Sequence, residues 1–192
     1  MATVMTHAVV SVDGFIADEH DDVGPLFDWY FNGAVRLGDH QPFSMSPVSH
    51  DYTAAMWDRI GVIVKGRRLF DQTNGWEGSP PAGDHVVVVS HRPKPEGWHP
   101  EASYFFETDV ASAVERAQEL AGDRIVAVTA GDVGGQALAL GLVDEVAMDV
   151  VPVVFGAGRR YFGSVDAQHL LEDPHVVIQG DRVLHLRYRV RR

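Results

Sequence analysis

The chain contains no cysteine, so neither disulfides nor thiolate metal sites contribute to its stability or chemistry. It also lacks a positive charge balance: 16 Lys and Arg stand against 27 Asp and Glu, a formal net charge of −11. A long-range field of that sign repels nucleic acid and anionic membrane surfaces, so neither is an expected partner. No apolar run is long enough to span a bilayer. The opening Met1-Ala2-Thr3-Val4-Met5-Thr6-His7 has no basic segment followed by an apolar stretch, and a cytoplasmic location is expected. Ten histidines are present, but none falls in H-E-x-x-H or a similar close ligand set, so no metal is expected.

What is present suits one compact domain over residues 1–192. Hydrophobic residues make up 45% and charged residues 22%, ordinary values for a globular protein with a sizeable core. No internal repeat or interdomain linker interrupts it.

The most informative stretch is Ile125-Val126-Ala127-Val128-Thr129-Ala130-Gly131-Asp132-Val133-Gly134-Gly135, followed by Gln136-Ala137-Leu138-Ala139-Leu140. A short apolar run, a glycine turn and an apolar helical pattern read as a buried strand feeding a helix N-terminus. Such a junction aims unpaired N–H groups and the positive end of a helix dipole at an anion, phosphates above all. A plain structural turn uses glycine for the same backbone reasons.

Further strands are predicted over residues 6–12, 62–64, 86–89 and 146–151. A terminal hairpin is predicted from 175–178 and 183–190. Residues 110–121 form a helix capped by Thr108 or Asp109, with Val110, Val114, Ala117 and Leu120 as its stripe and Gly122 at its end. A second helix is expected to start at Ser49 or Asp51 and to run to about Ile60.

Two strand ends are basic in an otherwise acidic chain. Lys65-Gly66-Arg67-Arg68 follows the strand at 62–64, and Ser90-His91-Arg92-Pro93 follows Val86-Val87-Val88-Val89. Open α/β sheets bind ligands at the carboxyl ends of their strands. Guanidinium forks there suit a 2′-phosphate, and hence NADP(H), better than a free ribose diol. A solvated turn, or a basic corner pairing with another subunit, stays open. Ser11-Val12-Asp13-Gly14-Phe15-Ile16-Ala17 after the first strand is either a hairpin corner or a loop offering an apolar wall to a flat ring. The irregular segment 23–49 carries Phe27, Trp29, Tyr30 and Phe31 and reads as a covering loop over a cleft, with a short helix near Asp28.

Taken in order, these motifs resemble the dihydrofolate reductase-like family, particularly the branch shared with the reductase domain of bacterial riboflavin biosynthesis. They are Ser11 to Ala17, Val64-Lys65-Gly66-Arg67-Arg68-Leu69-Phe70, Val89 to Pro93, and Thr129 to Gly135. Gly141-Leu142-Val143-Asp144-Glu145, Pro152-Val153-Val154-Phe155-Gly156 and Gly158-Arg159-Arg160 complete the set. The resemblance implies an α/β three-layer sandwich, a mostly parallel central sheet flanked by helices, with an antiparallel C-terminal hairpin. It also implies a homodimer and NADPH. Val9, Ile16 and Ala17 would then border the nicotinamide, and Gly66, Arg67 and Arg68 the phosphates. Ser90, His91 and Arg92 would meet the 2′-phosphate, and Ala130, Gly131, Asp132 and Val133 the pyrophosphate. Asp28 is the nearest match to the family's substrate-anchoring carboxylate and the expected catalytic residue, with either it or a held water as the proton donor. Trp29, Phe31 and Phe155 are the expected substrate wall.

Two departures stand out. Leu69 occupies the place of a family threonine, and Ala130-Gly131 replaces a Gly-Gly peptide that is often cis, so that peptide is expected to be cis or otherwise strained. The implied activity is an NADPH-dependent reduction of a C=N or C=O in a small pterin-, pyrimidine- or sugar-type substrate. A nucleotide-binding module without turnover is the alternative.

Overall fold

The computed structural model describes residues 2–38 and 42–191, so residues 39–41 of the expected covering loop lie outside the description. The chain opens with β1 (Val4–Ser11) and β2 (Phe15–Ala17), then a 3-10 helix at Gly24–Phe31. β3 (Val35–Arg36) and β4 (Ser44–Met45) pair antiparallel before α1 (Pro47–Asp58). β5 (Ile60–Gly66) passes directly into α2 (Arg67–Gln72) and a tight turn at Asn74–Gly78. β6 (His85–Val89), β7 (Tyr104–Glu107), α3 (Val110–Ala121), β8 (Ile125–Thr129) and α4 (Asp132–Ala139) follow. β9 (Glu145–Val151), β10 (Arg159–Arg160), β11 (Val176–Gln179) and β12 (Leu184–Arg189) complete the chain.

The main sheet has eight strands in the order β11-β12-β9-β1-β8-β5-β6-β7. From β9 to β7 every neighbouring pair is parallel, and the β11–β12 hairpin adds to β9 antiparallel. A parallel sheet is covered on both faces, which explains its near-continuous valine runs. One face packs on α3 and α4 through Val4, Val10, Val62, Val64, Val126 and Val128. Each such fully buried valine contributes roughly 1.5–3 kcal/mol relative to exposure. The other face packs on α1 and α2 through Met5, Ile63, Ile125 and Ala127, and on the 3-10 helix through Val9 and Val151. The three layers are those that the sequence implies.

Local chemistry accounts for the boundaries. Asp109 caps α3 by accepting the Ser112 N–H at 2.9 Å, and Gly122 leaves it at a φ of 65°. α1 begins earlier than expected: Ser46 is its cap and Pro47 its first residue, while Ser49 lies buried inside the helix. Proline suits the first helical position because its missing N–H would have no partner there. β5 runs longer than expected and takes Lys65 into the sheet, where it is fully buried; only Arg67 and Arg68 emerge at that strand end. β7 is a strand that the sequence reading did not assign. Its four residues follow a Pro- and Gly-bearing loop and carry no long alternation.

Helix α4 carries the glycine pair of the strand–turn–helix stretch. A Cβ on Gly135 would stand 2.0 Å from the Phe162 carbonyl oxygen, and one on Gly134 would stand 2.9 Å from that of Thr129. Gly135 lets Phe162 lie directly on the helix, and Gly134 lets the helix sit against the end of β8. Gly135→Ala is therefore expected to lower stability by about 1–3 kcal/mol, because backbone rather than a flexible side chain must yield. Thermal unfolding of the variant checks this; an unchanged Tm would contradict the close approach.

Candidate active site

Strand parity places the chemistry. In β1 the residues Met5, His7 and Val9 point to the face covered by α1 and the 3-10 helix, opposite Val4 and Val10. Above this face lies a cleft of about 480 Å³, running from the carboxyl ends of β1 and β8 down to Ile60, the first residue of β5, and Pro81 and Ala82 ahead of β6, a size suited to a small molecule. β1 supplies His7, Ala8 and Val9, β2 supplies Ile16, and the end of β8 supplies Val128, Thr129 and Ala130. Val23, Phe27, Tyr30, Phe43 and Trp57 cover one side, and Leu69 and Trp76 the other.

Beneath the cleft runs a buried polar chain. His7 Nε2 meets Asp149 Oδ2 at 2.8 Å, and Asp149 Oδ1 meets His185 Nδ1 at 2.6 Å. His185 Nε2 reaches Ser49 Oγ at 3.0 Å. Register explains the convergence: His185 stands directly opposite Asp149 across β12 and β9, and Val9 is the β1 partner of Asp149. Burial alone would push the Asp149 carboxyl up, but the charges and hydrogen bonds of His7 and His185 outweigh it and hold it at about 2. Ser49, His185 and Asp149 copy the order of a hydrolytic triad, yet Ser49 is only 1% exposed and presents no nucleophile to solvent.

Lys65 lies on the same face, fully buried, with Nζ 3.3 Å from the centre of the Trp76 ring and 3.2 Å from Thr73 Oγ1. Trp76 belongs to a turn in which Asn74, Gly75, Trp76, Glu77 and Gly78 all have positive φ, a conformation that costs free energy for the non-glycine residues. The ring thereby stands between the ammonium and the cleft.

Two arginine groups border the neighbouring strand ends. Arg67 Nε binds Asp71 Oδ1 at 2.7 Å, and Arg92 Nη2 binds Asp71 Oδ2 at 2.6 Å. Arg67 Nη1 also donates to the carbonyls of Arg92 and Pro93 at 3.3 and 3.0 Å. A recess of about 290 Å³ opens among Arg67, Ser90, His91, Arg92 and Thr108. Desolvation opposes ionisation of Asp71, but the hydrogen bonds from Arg67 and Arg92 prevail and lower its pKa. On the other side, Asp21 accepts from both Arg159, at 2.6 Å, and Arg68. The Arg159 bond is the largest influence holding the Asp21 carboxyl below its ordinary value.

The expected site residues thus fall into groups. Val9, Ile16 and Ala130 line the cleft; Ala17 is buried beside it, paired with Arg159 through β2 and β10. Gly66 caps α2 with its α-carbon against Val133, where a Cβ would come within 3.1 Å of the valine. Gly131, Asp132 and Val133 form the start of α4, which has no side-chain cap. Ser90, His91 and Arg92 share the recess with Arg67, but Ser90 Oγ is already used to hold its own turn, accepting the Arg92 N–H at 2.9 Å. Arg68 stands with Arg159 instead.

Three expectations are corrected, the first in its cis form alone. The Ala130–Gly131 peptide is trans: the described residues contain no cis bond. The turn is made instead by Gly131 itself, at φ 93° and ψ −151°, a region only glycine occupies readily, with its N–H donated to the Tyr161 carbonyl at 2.7 Å. Asp28 is exposed and outside the cleft lining, because Leu26, Trp29 and Tyr30 form the buried face of its 3-10 helix. Trp29, Phe31 and Phe155 also lie outside the lining. Trp29 is 1% exposed and stacked on Tyr30, Phe31 is 56% exposed, and Phe155 packs on the cluster around Val9 and Val151. Phe27, Tyr30, Phe43, Trp57 and Trp76 make the aromatic wall. His7 and Asp149 were missed. Their signal was a titratable residue within an otherwise apolar strand, where charge is rarely buried unless paired.

A central parallel sheet of this order, with a cleft at its carboxyl ends and an antiparallel terminal hairpin, is a dihydrofolate reductase-like α/β domain. The chain belongs to the family of RibD C-terminal domains, which it matches over residues 2–185. Among solved structures it is similar to a protein from Shewanella sp. PV-4 provisionally assigned to riboflavin biosynthesis, at 19% identity and a TM-score of 0.72, with 100% of each chain covered. A diaminohydroxyphosphoribosylaminopyrimidine deaminase/5-amino-6-(5-phosphoribosylamino)uracil reductase from Thermotoga maritima matches at 14% identity and a TM-score of 0.62, covering 99% of this chain and 57% of its own. Dihydrofolate reductase from Enterococcus faecalis, complexed with NADP(H), matches at 13% identity and a TM-score of 0.58, with 99% and 97% covered. No curated protein matches the sequence significantly. No described helix is long and apolar enough to cross a membrane.

Burial lowers the Lys65 pKa from 10.5 to about 7. Its charge therefore costs stability fully below pH 7, and the cost fades as pH rises from there to 10.5, where the unfolded lysine also loses its proton. Lys65→Met is expected to raise Tm at pH 6 by roughly 4 °C or more, with the gain shrinking toward pH 10. Calorimetry across that range checks it; a gain independent of pH would mean that desolvation is not its cause.

Proposed function

We propose that this chain is an NADPH-dependent reductase acting on a C=N or C=O of a small pterin-, pyrimidine- or sugar-type substrate. The activity most like it is 5-amino-6-(5-phosphoribosylamino)uracil reduction. The observation that carries the reading is an apolar, aromatic-walled cleft that ends at Ala130, next to the uncapped helix start at Gly131, together with a separate arginine recess at the neighbouring strand end, at Arg67 and Arg92. Family membership and the reductases among its structural relatives support it.

The residues present fit the dinucleotide. The first N–H groups of α4 have no acceptor within the helix and suit a pyrophosphate, and the bare α-carbon of Gly66 keeps the neighbouring strand end open beside Val133. Arg68 and Arg92 have side chains 64% and 65% exposed, so guanidinium donors remain for phosphate beside their carboxylate partners. Ser90, His91 and Arg92 would hold the 2′-phosphate, with Arg67 bracing them; Val9, Ile16 and Ala17 would border the ring. Bound there, the cofactor supplies the hydride. The protein's own part is to hold a flat substrate between the Phe27–Tyr30 wall and Trp76 and to exclude water. A homodimer in the cytoplasm goes with this reading.

Titration with NADPH is expected to quench the fluorescence of Trp57 and Trp76, which line the cleft, with micromolar affinity, and Trp76→Phe to remove part of the signal. Buried Trp29 contributes little. Arg92→Ala should weaken NADPH by about 10- to 100-fold, as expected for loss of a charged hydrogen bond, while leaving the weaker NADH affinity unchanged. Equal affinity for the two dinucleotides would remove the 2′-phosphate assignment. Tight NADPH binding without oxidation across pterins, folates and pyrimidines would favour a nucleotide-binding module instead.

A further inference from the structure

Reduction of a C=N or C=O needs a proton as well as a hydride. Asp28, exposed on the far edge of the covering helix, does not line the cleft. Among the described cleft residues His7 supplies the one imidazole, the side chain type suited to proton transfer, and it is tied to a buried carboxylate. We propose that His7 is the proton donor of this cleft, and that Asp149, His185 and Ser49 are positioning residues that keep its ring charged and fixed. The proposal rests on the reductase reading above.

Electrostatics and access decide which ring carries the charge. A carboxylate that is 1% exposed must be neutralised by a partner, and it has two imidazoles. The His185 side chain has no exposure, whereas that of His7 retains 15% at the cleft, so His7 is the less costly ring to charge. His185 is then neutral: Nδ1–H donates to Asp149 and Nε2 accepts from the Ser49 hydroxyl. His7 has committed Nε2 to Asp149, which leaves Nδ1 to act in the cleft. The other groups on this face do not compete for the role. Tyr30, from the 3-10 helix, and Tyr52, from α1, are held neutral, first by burial and then by the Asp149 charge. β8 contributes only Thr129, Arg187 of β12 is paired with Glu145, and Lys65 of β5 is screened by Trp76. Tyr161 donates to the Ala147 carbonyl, at 2.7 Å.

The step balances simply. The electrophilic carbon of the substrate gains the hydride and a C–H bond. The π pair passes to nitrogen or oxygen, which forms its new bond to the proton leaving His7 Nδ1. The reduced nicotinamide dinucleotide is oxidised, imidazolium becomes imidazole, and solvent restores the proton.

The test combines kinetics with a readout that needs no turnover. With NADPH and 5-amino-6-(5-phosphoribosylamino)uracil, single-turnover reduction by the wild type should fall as pH rises. His7→Asn should slow it by about 100-fold or more, remove that pH dependence and leave NADPH affinity within about twofold. His7→Ala should be partly rescued by added imidazole, an outcome that a purely structural histidine would not give. Independently, ring-nitrogen NMR at pH 6 should show His7 with N–H on both nitrogens in the wild type and in Ser49→Ala, but on one in Asp149→Asn. His7→Asn with wild-type rate and pH profile would overturn the proposal, as would a singly protonated His7 ring in the wild type. Failure of the wild type to reduce this pyrimidine would instead count against the substrate named above, and the ring spectrum would still decide the state of His7.

Discussion

The parallel pairing of β1 with β8 on one side and β9 on the other is the constraint on which the rest depends. Once Thr6 lies opposite Val128 and Val146, alternate residues of all three strands are assigned to opposite faces. Val4 and Val10 go to the α3–α4 core, and Met5, His7 and Val9 to the cleft side. A slip of one residue would reverse every assignment, placing His7 among valines and Val10 in the cleft. The fixed register lets a polar cluster grow on one face without disturbing the hydrophobic packing on the other.

Within that frame, Asp149 imposes the second condition. A buried carboxylate is tolerated only where paired and hydrogen-bonded partners repay its desolvation. Here they come from β1, from β12 and, through His185, from α1. The terminal hairpin is therefore tied to the first strand by charge as well as by sheet hydrogen bonds. The cleft gains a histidine whose orientation is set from beneath rather than by a mobile surface contact.

Charge is handled differently at the rim. The net charge of −11 would discourage any anionic ligand, and the arginines gathered at the strand ends reverse that locally. Each group is braced by one carboxylate, Asp71 for Arg67 and Arg92 and Asp21 for Arg68 and Arg159. Exposed ion pairs add little to stability. Their value here is in holding the guanidiniums at fixed positions with donors to spare.

The layer architecture was implied by the resemblance of the ordered motifs to a family; the sequence alone determined the α3 boundaries and the Ile125–Gly135 junction. These follow from periodicity, capping and turn chemistry, all of them local. It also located the arginine clusters and Val9, Ile16 and Ala130, because strand ends can be read from where apolar runs stop. It misassigned Lys65 to the basic turn, since a lysine close to the end of a strand looks the same whether it points in or out. It chose Trp29, Phe31 and Phe155 where Phe27, Tyr30, Phe43, Trp57 and Trp76 line the cleft, because an irregular segment has no period from which to read facing. Only the tertiary structure could join His7 to Asp149 and His185, which are 142 and 178 residues away in the chain. Their partnership exists solely through strand register, and no local pattern records it.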